Sequence, residues 1–417
     1  MSLLLKNCRY VLTQDDRRRV LKDTSVYIDG DKIANIGKTE AADEVIDCSE
    51  MVLCPGFVNS HTHIGTTMMR GYADDLPFFK WLDKIWEREH RLTEKEIALG
   101  AQLACVEMTK SGVTSFVDMY PYEDSTVKKI AASGLRAFLS WPVIDKDKTT
   151  QKGAPIKNAE RFLKRWKTGT ITPLVGPHAI YSCDKELLIK AKKLADKHKT
   201  MAHIHVAETR KELADCLAKN KKRVVEYLDS IEFLDKNVLA AHCSWLTKGE
   251  IRILSECQTK VAACPVSNAK LGTGGTVPIP EMLQSGVCIT LGTDAPISNN
   301  SLNMFETMKF CSLLLKNQRW DASIVSAQDV LDFATINGAN VLGLDAGSIV
   351  EGKLADLVLM DIKKMSMPIN NLISNLVYSS SPNIVDSVMV GGRFVMRSGE
   401  PIMSSALKEI AQGLSSE

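Results

Sequence analysis

The chain has 417 residues, enough for one large domain or two of ordinary size. Its 52 Lys and Arg residues nearly balance its 50 Asp and Glu residues, so it lacks the basic excess of proteins that bind nucleic acids or anionic membranes. No apolar run approaches the ~18 residues of a membrane span, no secretory signal is recognisable, and the eleven cysteines include no C-x-x-C pair. We therefore expect a cytoplasmic protein whose partner is a small molecule, with no role for nucleic acid or membrane.

Short β-strands are predicted at the start of the chain. The segments "LLLKNCRYVLT", "TSVYIDGDKIANIG" and "VIDCSEMVLCPG" are β-like in pattern, and the second has an Asp-Gly turn between two apolar runs. We expect these strands to occupy residues 3–55.

From about residue 57 to residue 346, short apolar runs alternate with helical patterns. One helix is expected to start at Thr93, which forms a capping box with Glu96, and to stop at Gly112. Eight such alternations favour a closed (β/α)8 barrel over an open doubly wound sheet, since no G-x-G-x-x-G motif follows the first strand. The expected barrel strands are "GFVNSHTH" (56–63), "TSFVDMY" (114–120), "AFLSWPV" (137–143), "ITPLVGPH" (171–178), "AHIHVAE" (202–208), "VLAAHC" (238–243), "KVAACP" (260–265) and "CITLGTD" (288–294).

The β-like pattern returns near the end of the chain, in "SIVEGKLADLVLMDI" and "IVDSVMVGGRFVMRSG". The simplest account is that the two ends of the chain meet in one small domain. We therefore predict an α/β protein with a TIM barrel over residues 57–346 and a β-sandwich built from residues 1–56 and 347–417.

Polar residues recur at the predicted carboxyl ends of the barrel strands. In a (β/α)8 barrel these ends converge on one mouth, which is where such enzymes place their active sites. A single buried histidine is more often a satisfied core group than a ligand, so the set indicates more than any member. The residues are His61 and His63 of the first strand, His178 of the fourth, His205 and Glu208 of the fifth, His242 of the sixth and Asp294 of the eighth.

The H-x-H motif of the first strand is the strongest single signal. His61 and His63 are two residues apart, so on a strand both rings face the same volume. Burying two imidazoles there is costly unless a partner such as a metal ion satisfies their nitrogens. The fifth strand has a second such pair, in which we expect His205 to be the ligand at the mouth and His203 to fill an inner layer of the barrel.

These residue types indicate a metal-dependent hydrolase. A divalent ion lowers the pKa of a bound water to about 7, which makes hydroxide available near neutral pH. Asp294 can take the proton of that water, and His242 can hydrogen-bond the hydroxide and steer it. Glu208 can donate a proton to a heteroaromatic ring nitrogen, which makes the adjacent ring carbon electrophilic. The expected ligands of Zn²⁺ or Fe²⁺ are His61, His63, His205 and Asp294.

Several motifs together resemble a known family. The segments are "PGFVNSHTH", "HIHVAET", "AAHCSWL", "PVSNAKLGTG", "LGTDAPISNNSLNMFETMK" and "EGKLADLVLMD", which occur in this order through nearly the whole chain. They resemble the amidohydrolase superfamily, in its branch of aminohydrolases that act on adenosine-type thioethers and on triazines. Within that branch the sequence is most similar to the 5-methylthioadenosine/S-adenosylhomocysteine deaminases.

The resemblance implies deamination of an adenosine-type nucleoside by a homo-oligomer that holds one metal ion per subunit. Carried over by position, the four ligands named above bind the metal, and Glu208 and His242 serve the hydrolytic step. Glu89 in "WEREHRLTEKE" matches the glutamate that contacts the ribose hydroxyls. His178 would lie on the sugar side of the substrate, and Trp81 in "FFKWLDK" is a candidate wall for the thioether end, although an aromatic there can equally be core packing.

One departure from the family concerns the 5-substituent of the nucleoside. Members that accept S-adenosylhomocysteine tend to carry arginine after the third strand and in the next loop, where it meets the amino-acid carboxylate. Here Trp141 stands at the first position, and the loop "DKDKTTQKGAPIKN" has lysines but no arginine. We therefore expect substrates without a carboxylate, such as 5-methylthioadenosine, 5-deoxyadenosine or adenosine.

Other functions remain open from the sequence. A hydrolase of the same superfamily that acts on a triazine, guanine or a pterin would use nearly the same metal chemistry, and Glu89 distinguishes it, since a ring without a sugar has no use for a ribose-binding carboxylate. A non-enzymatic relative should lack several ligands, whereas this sequence has all of them. A deaminase of the cytidine type is excluded, because "CPVSN" offers no second cysteine at the required spacing.

Overall fold

Two β-sheets organise the chain. The computed structural model describes residues 2–149, 151–167 and 169–403. The first five strands belong to a sheet of mixed direction that the end of the chain completes. They are β1 (Ser2–Leu12), β2 (Val20–Asp29), β3 (Lys32–Ile36), β4 (Glu44–Asp47) and β5 (Met51–Pro55).

The next eight strands are parallel and form the barrel. Each of the eight predicted runs overlaps one of them, and consecutive strands are neighbours throughout. Their residues are almost all buried, as expected for strands covered by helices on one side and packed against each other on the other. They are β6 (Phe57–Thr62), β7 (Val113–Met119), β8 (Arg136–Val143), β9 (Ile171–Pro177), β10 (Ala202–Val206), β11 (Val238–His242), β12 (Lys260–Ala263) and β13 (Ile289–Leu291).

Hydrogen bonds between the first and last of these strands close the barrel. The Asp294 N–H, just past β13, donates to the carbonyl oxygen of His61 at 2.9 Å. One layer lower, the hydroxyls of Ser60 and Thr290 are 2.7 Å apart. The predicted fold class, a (β/α)8 barrel accompanied by a β unit from both ends of the chain, is confirmed.

Four C-terminal strands complete the mixed sheet. Strand β14 (Leu357–Asp361) pairs with β5, and it is followed by β15 (Val385–Val390), β16 (Arg393–Arg397) and β17 (Glu400–Pro401). The strands form one sheet in the order β17-β16-β15-β14-β5-β1-β2-β3, with β4 paired to β1. The domain boundaries at 56/57 and 346/347 stay a prediction, and residues 1 and 404–417 of the predicted sandwich lie outside the described residues.

Fifteen α-helices are found in the described residues, and many of them cover the barrel. The helix predicted to start at Thr93 does so, with the Thr93 hydroxyl accepting from Glu96 N–H and the Glu96 carboxylate accepting from Thr93 N–H; Gly112 follows its end at φ +82°. The helices are α1 (Phe78–Glu89), α2 (Glu94–Lys110), α3 (Asp124–Ala132), α4 (Pro155–Arg165), α5 (Lys185–Lys197), α6 (Arg210–Asn220), α7 (Val224–Ser230), α8 (Lys248–Glu256), α9 (Pro265–Lys270), α10 (Ile279–Gln284), α11 (Pro296–Asn299), α12 (Met304–Arg319), α13 (Ala327–Ala334), α14 (Ile336–Leu342) and α15 (Leu372–Tyr378). None of these helices is long and apolar enough to cross a membrane.

The mixed sheet buries both of its faces in β5 and β14. Alternate residues of a strand point to opposite sides, and here both sets are apolar. Leu53 and Leu357 belong to a core within the sheet unit, whereas Val52 and Val358 belong to the large core that includes the barrel helices. The sheet is therefore packed against the barrel by side chains as well as joined to it by the chain.

An ion pair also joins the sheet to the barrel. Asp356, directly before β14, is 2% exposed, and its two carboxylate oxygens accept from Arg136 Nε at 2.7 Å and from an Arg136 terminal nitrogen at 3.0 Å. Arg136 is the first residue of β8, so the pair lies at the end of the barrel opposite the predicted active site. A buried, two-point contact of this kind fixes the orientation of both side chains.

Candidate active site

The residues predicted from the strand ends come together at one end of the barrel. His63, His178, His205, His242 and Asp294 line a cavity of about 400 Å³, a volume suited to a small ligand. Glu208, Glu89 and Trp81 also line this cavity. His61 lies beneath the surface of the cavity and is fully buried. The structure thus gathers every predicted site residue around one volume.

The donor atoms of the predicted ligands are spaced as ligands of one ion would be. His63 Nε2 and His205 Nε2 are 3.2 Å apart, and Asp294 Oδ1 is 3.4 Å from His61 Nε2 and 3.5 Å from His63 Nε2. Atoms that lie 2.0–2.1 Å from an ion in tetrahedral directions are roughly 3.4 Å from one another. Two groups, His61 with His63 and Asp294, and His61 with His205 and His242, each keep their donor atoms within 4.8 Å.

His61 supplies an independent sign that the site accepts an ion. Its Nε2 is buried and has no hydrogen-bond partner among the described residues. Burial lowers the pKa of His61 to about 4, although Asp294 opposes that shift, so the ring is neutral near pH 7. A buried nitrogen lone pair of this kind is costly unless a positive partner satisfies it, and a divalent ion does so. The residues present therefore fit a metal ion.

Backbone carbonyls orient two of the other imidazoles. His63 Nδ1 is 2.9 Å from the carbonyl oxygen of Met119, and His205 Nδ1 is 2.7 Å from that of His178. A carbonyl can only accept, so we assign the ring proton to Nδ1 in both residues. The lone pair is then on Nε2, which faces the centre of the cluster.

Asp294 presents one oxygen to the histidines and holds the other in place. Its Oδ2 accepts from the hydroxyls of Ser267 at 2.5 Å and Ser298 at 2.9 Å, which leaves Oδ1 to face His61 and His63. Burial alone would raise the pKa of Asp294, but the contact with His61 and the electrostatic effect of His242 and His63 hold it well below its usual range. The carboxylate is therefore ionised and can act as a ligand or a base.

Glu208 and His242 form a second pair beside the histidine cluster. Glu208 Oε1 is 3.9 Å from His242 Nε2. Asn268 donates its amide N–H to Ser244 at 2.7 Å, so its Oδ1 accepts from His242 Nδ1 at 2.9 Å, and His242 Nε2 points to the cavity. Burial raises the pKa of Glu208 despite the opposing effect of His242, which favours the protonated carboxyl that an acid catalyst needs.

The mouth of the cavity has a carboxylate and aromatic walls. Glu89, the last residue of α1, is half-buried, and burial raises its pKa while a hydrogen bond from Tyr120 opposes the shift. The His178 ring lies 4.7 Å from that of His205, centroid to centroid. Trp81 is 6% exposed and packs in a small apolar cluster with Ile85 and Ile297 while it lines the cavity, so it is both core packing and wall.

The loop after the third barrel strand brings a lysine, not the tryptophan, to the cavity. The Trp141 ring is turned towards helix α4, where it packs against Phe162 with the ring centroids 5.3 Å apart. Lys148 is the one lysine or arginine among the described residues that line the cavity. Its Nζ is 3.0 Å from Asp145, so its charge is already paired.

Glu212 is a buried acid beside the site that the sequence analysis missed. Its Oε2 accepts from the N–H of Glu208 at 2.8 Å, and it is 4% exposed. Burial raises its pKa to about 8, with the nearby Glu208 adding to the shift and the backbone N–H groups opposing it. The T-x-x-E spacing from Thr209 to Glu212 is a sequence signal for the start of a helix. It could have placed Glu212 in the first turn of α6, close to the end of β10.

Comparison with known proteins gives the family. Residues 52–395 match the amidohydrolase family, so the chain belongs to it. The chain is 42% identical over 403 residues to a 5'-deoxyadenosine deaminase of Methanosarcina mazei, covering 95% of this chain and 93% of that protein. It is 38% identical over 410 residues to a 5-methylthioadenosine/S-adenosylhomocysteine deaminase of Thermoanaerobacter pseudethanolicus, covering 96% and 95% of the two chains.

A solved structure agrees with these relatives. The fold matches that of an adenosine deaminase from Xanthomonas campestris with bound zinc, with a TM-score of 0.94 and 30% sequence identity. The match covers 98% of this chain and 97% of that one. The resemblance stated from the sequence motifs is thereby confirmed at the level of the family, and the chain is a hydrolytic aminohydrolase.

Replacing Glu212 by glutamine should flatten the dependence of stability on pH. Because folding raises the pKa of this carboxyl from 4.5 to about 8, its contribution to stability is fully present below about pH 4.5 and is lost as the pH rises through 8. In the wild type this loss amounts to at most about 1.4 kcal/mol per pH unit within that window. Urea unfolding of both proteins at a series of pH values measures the difference.

The exposed Glu186 on α5 provides the control for that comparison. Glu186→Gln should follow the wild-type curve across the window. Parallel curves for wild type and Glu212→Gln would show that the Glu212 carboxyl does not retain its proton in the folded protein.

Proposed function

We propose that this protein hydrolyses an adenosine-type nucleoside to the inosine analogue and ammonia. The observation that carries the proposal is the convergence of His61, His63, His205 and Asp294 beneath a cavity that also contains Glu208 and Glu89. The two relatives named as deaminases of 5'-deoxyadenosine and of 5-methylthioadenosine/S-adenosylhomocysteine support the same class of substrate. The net charge of +2 is consistent with a small substrate of this class, since a protein that binds nucleic acid usually has a clear excess of basic residues.

We propose Zn²⁺, or alternatively Fe²⁺, as the ion, one per chain, held by His61, His63, His205 and Asp294. Neutral imidazoles with a carboxylate suit either metal. When bound, such an ion lowers the pKa of water to about 7 and so supplies hydroxide near neutral pH. The zinc in the adenosine deaminase of Xanthomonas campestris supports the first choice.

The remaining chemistry belongs to the side chains. The Glu208 carboxyl donates its proton to the ring nitrogen next to the amino-bearing carbon, which makes that carbon electrophilic. Asp294 Oδ1 accepts a proton of the attacking water as the water oxygen bonds to that carbon, and it then passes the proton to the amino nitrogen, so that the carbon–nitrogen bond breaks and ammonia leaves. The Glu208 carboxylate takes up the remaining hydroxyl proton. His242 Nε2, whose ring carries its proton on Nδ1, accepts a hydrogen bond from the attacking water and orients it. The Asp294 carboxylate is ionised, as a base must be, and the raised pKa of Glu208 favours the protonated form that an acid needs.

The mouth of the cavity suits the sugar and a small apolar 5-substituent. We propose that Glu89 accepts hydrogen bonds from the ribose hydroxyls and that His178 contacts the sugar side. The outer wall has Trp81, Ile85 and Ile144, and its one cation, Lys148, is paired with Asp145. This wall favours 5-methylthioadenosine, 5-deoxyadenosine or adenosine over S-adenosylhomocysteine. We also propose that the protein acts in the cytoplasm and, on the basis of the family resemblance, that it is a homo-oligomer.

His61→Ala and His63→Ala should each remove the metal and lower turnover by at least about 10³-fold, because hydroxide is no longer available near neutral pH. Metal analysis of the purified variants and assays of ammonia release measure both effects, and circular dichroism checks that the barrel is folded. His198→Ala is the control, because it replaces a histidine at the end of α5, outside the site, and it should keep both metal and activity. Glu208→Gln should keep the metal and lose activity. Full turnover in either His61→Ala or His63→Ala would refute the metal site.

Glu89→Gln should lower kcat/KM for adenosine-type nucleosides roughly 10- to 100-fold, the range expected when hydrogen bonds to a charged acceptor become neutral ones. Steady-state assays with 5-methylthioadenosine measure the effect. Glu87→Gln, an exposed change two residues earlier on the same helix, is the matched control and should be silent. Unchanged kinetics in Glu89→Gln would favour a ring substrate without a sugar, such as a triazine or guanine.

The kcat/KM for 5-methylthioadenosine should exceed that for S-adenosylhomocysteine by at least about tenfold, because no free cation in the described wall meets the carboxylate and an unpaired charge there is costly. The same thioether lacking only its carboxylate is the control substrate and should recover part of the difference. Equal or higher kcat/KM for S-adenosylhomocysteine would overturn this preference.

A further inference from the structure

His203 lies under the candidate metal site and contacts one of its ligands. It is fully buried on β10, two residues before His205. The sequence predicted that it fills an inner layer of the barrel, and it does lie there. Its Nε2, however, is 2.8 Å from His61 Nδ1, and its Nδ1 is 2.9 Å from the hydroxyl of Ser140. These three side chains, which we call the inner row, connect β6, β10 and β8 across the barrel.

The inner row has one arrangement of protons that is compatible with a metal ligand. His61 turns its unpartnered Nε2 to the site, so a neutral His61 must carry its proton on Nδ1 and donate it to His203. His203 Nε2 must then be an acceptor, which puts the proton of His203 on Nδ1, facing Ser140. The hydroxyl oxygen of Ser140 can accept it. Each ring therefore fixes the tautomer of the next.

His61 differs in this respect from the other two imidazoles of the predicted ligand set. His63 and His205 are oriented by the carbonyl oxygens of Met119 and His178, which are part of the backbone. His61 depends on a side chain, and that side chain depends on another. The orientation of His61 is thus the one in this set that a side-chain substitution can remove.

We propose that His203 is a positioning residue of the metal site, which holds the His61 ring and its tautomer, and that Ser140 in turn sets the tautomer of His203. This inference rests on the metal site proposed above. Outer partners of metal-bound histidines commonly change metal affinity about 10- to 100-fold when they are replaced. His203 thereby acts on the metal through His61 and has no contact with the substrate assigned to it.

Two substitutions at position 203 distinguish a residue that orients His61 from one that only fills the barrel interior. His203→Gln keeps an acceptor at about the reach of Nε2, whereas His203→Leu fills a similar volume without one. We expect the dissociation constant for Zn²⁺ to rise about 10- to 100-fold in His203→Leu and to recover by at least about fivefold in His203→Gln. Titration of the metal-free full chain with Zn²⁺ against a competing chelator measures these constants, and the visible spectrum after Co²⁺ loading reports ligand geometry.

Leu174→Ala is the control for a loss of packing, because Leu174 is buried in the barrel interior and has no part in the inner row. It should lower the melting temperature while the Zn²⁺ dissociation constant stays unchanged. Equal Zn²⁺ affinity in His203→Leu, His203→Gln and wild type would overturn the proposal and leave His203 as a filler. A wild type that binds no Zn²⁺ or Fe²⁺ would instead refute the proposed function.

Ser140→Ala gives a second test that does not depend on the folding of the His203 variants. It should weaken Zn²⁺ binding by several-fold in the wild type, since the His203 N–H loses its acceptor. In the His203→Leu background the same change should have no further effect, because the inner row is already broken. Unchanged affinity in Ser140→Ala, or equal losses in the two backgrounds, would contradict the proposed order of contacts.

Discussion

Closure of the barrel is the constraint on which the site depends. The hydrogen bond from Asp294 N–H to the carbonyl oxygen of His61 brings together two predicted ligands that are 233 positions apart in the sequence. Gly292 makes the approach possible, since a Cβ at that position would lie 2.7 Å from His61 Cβ. A barrel that closed with a different stagger would bury the same apolar surface but separate the histidines from the carboxylate. The arrangement of the predicted ligands therefore depends on how the first and last barrel strands meet.

Burial then gives similar side chains different tasks. His61 and His205 are neutral because a low-dielectric surrounding disfavours the charged ring, so their lone pairs are available. The two carboxyl groups diverge: Asp294 is held ionised by the histidines around it, whereas Glu208, beside the apolar wall, has a raised pKa. Two acids of nearly equal intrinsic strength thus differ in pKa through position alone, which suits the base and the proton donor proposed above.

Much of the fold and of the candidate site could be predicted from the sequence. Fully buried parallel strands are continuous apolar runs, so all eight barrel strands were predicted, and residues at their carboxyl ends pointed to the site. Contacts that depend on loop course or ring orientation were not accessible. For example, Lys148 lines the cavity whereas the Trp141 ring is turned away from it. The strand order of the mixed sheet, in which β1 is parallel to β4 and β5, was also not accessible, because it depends on long-range pairing. Periodicity identified His203 as interior but could not show its bond to His61.

The pairing of β5 with β14 has a consequence for biosynthesis. Pro55 pairs with Leu357, so about 300 residues must be made before the partner strand exists. At about 5–20 residues per second, the ribosome needs roughly 15–60 seconds for that stretch. During this time β5 has one edge without its final neighbour, which is the kind of surface that recruits other chains. Completion of the sheet therefore comes after all eight strands of the catalytic barrel have been made.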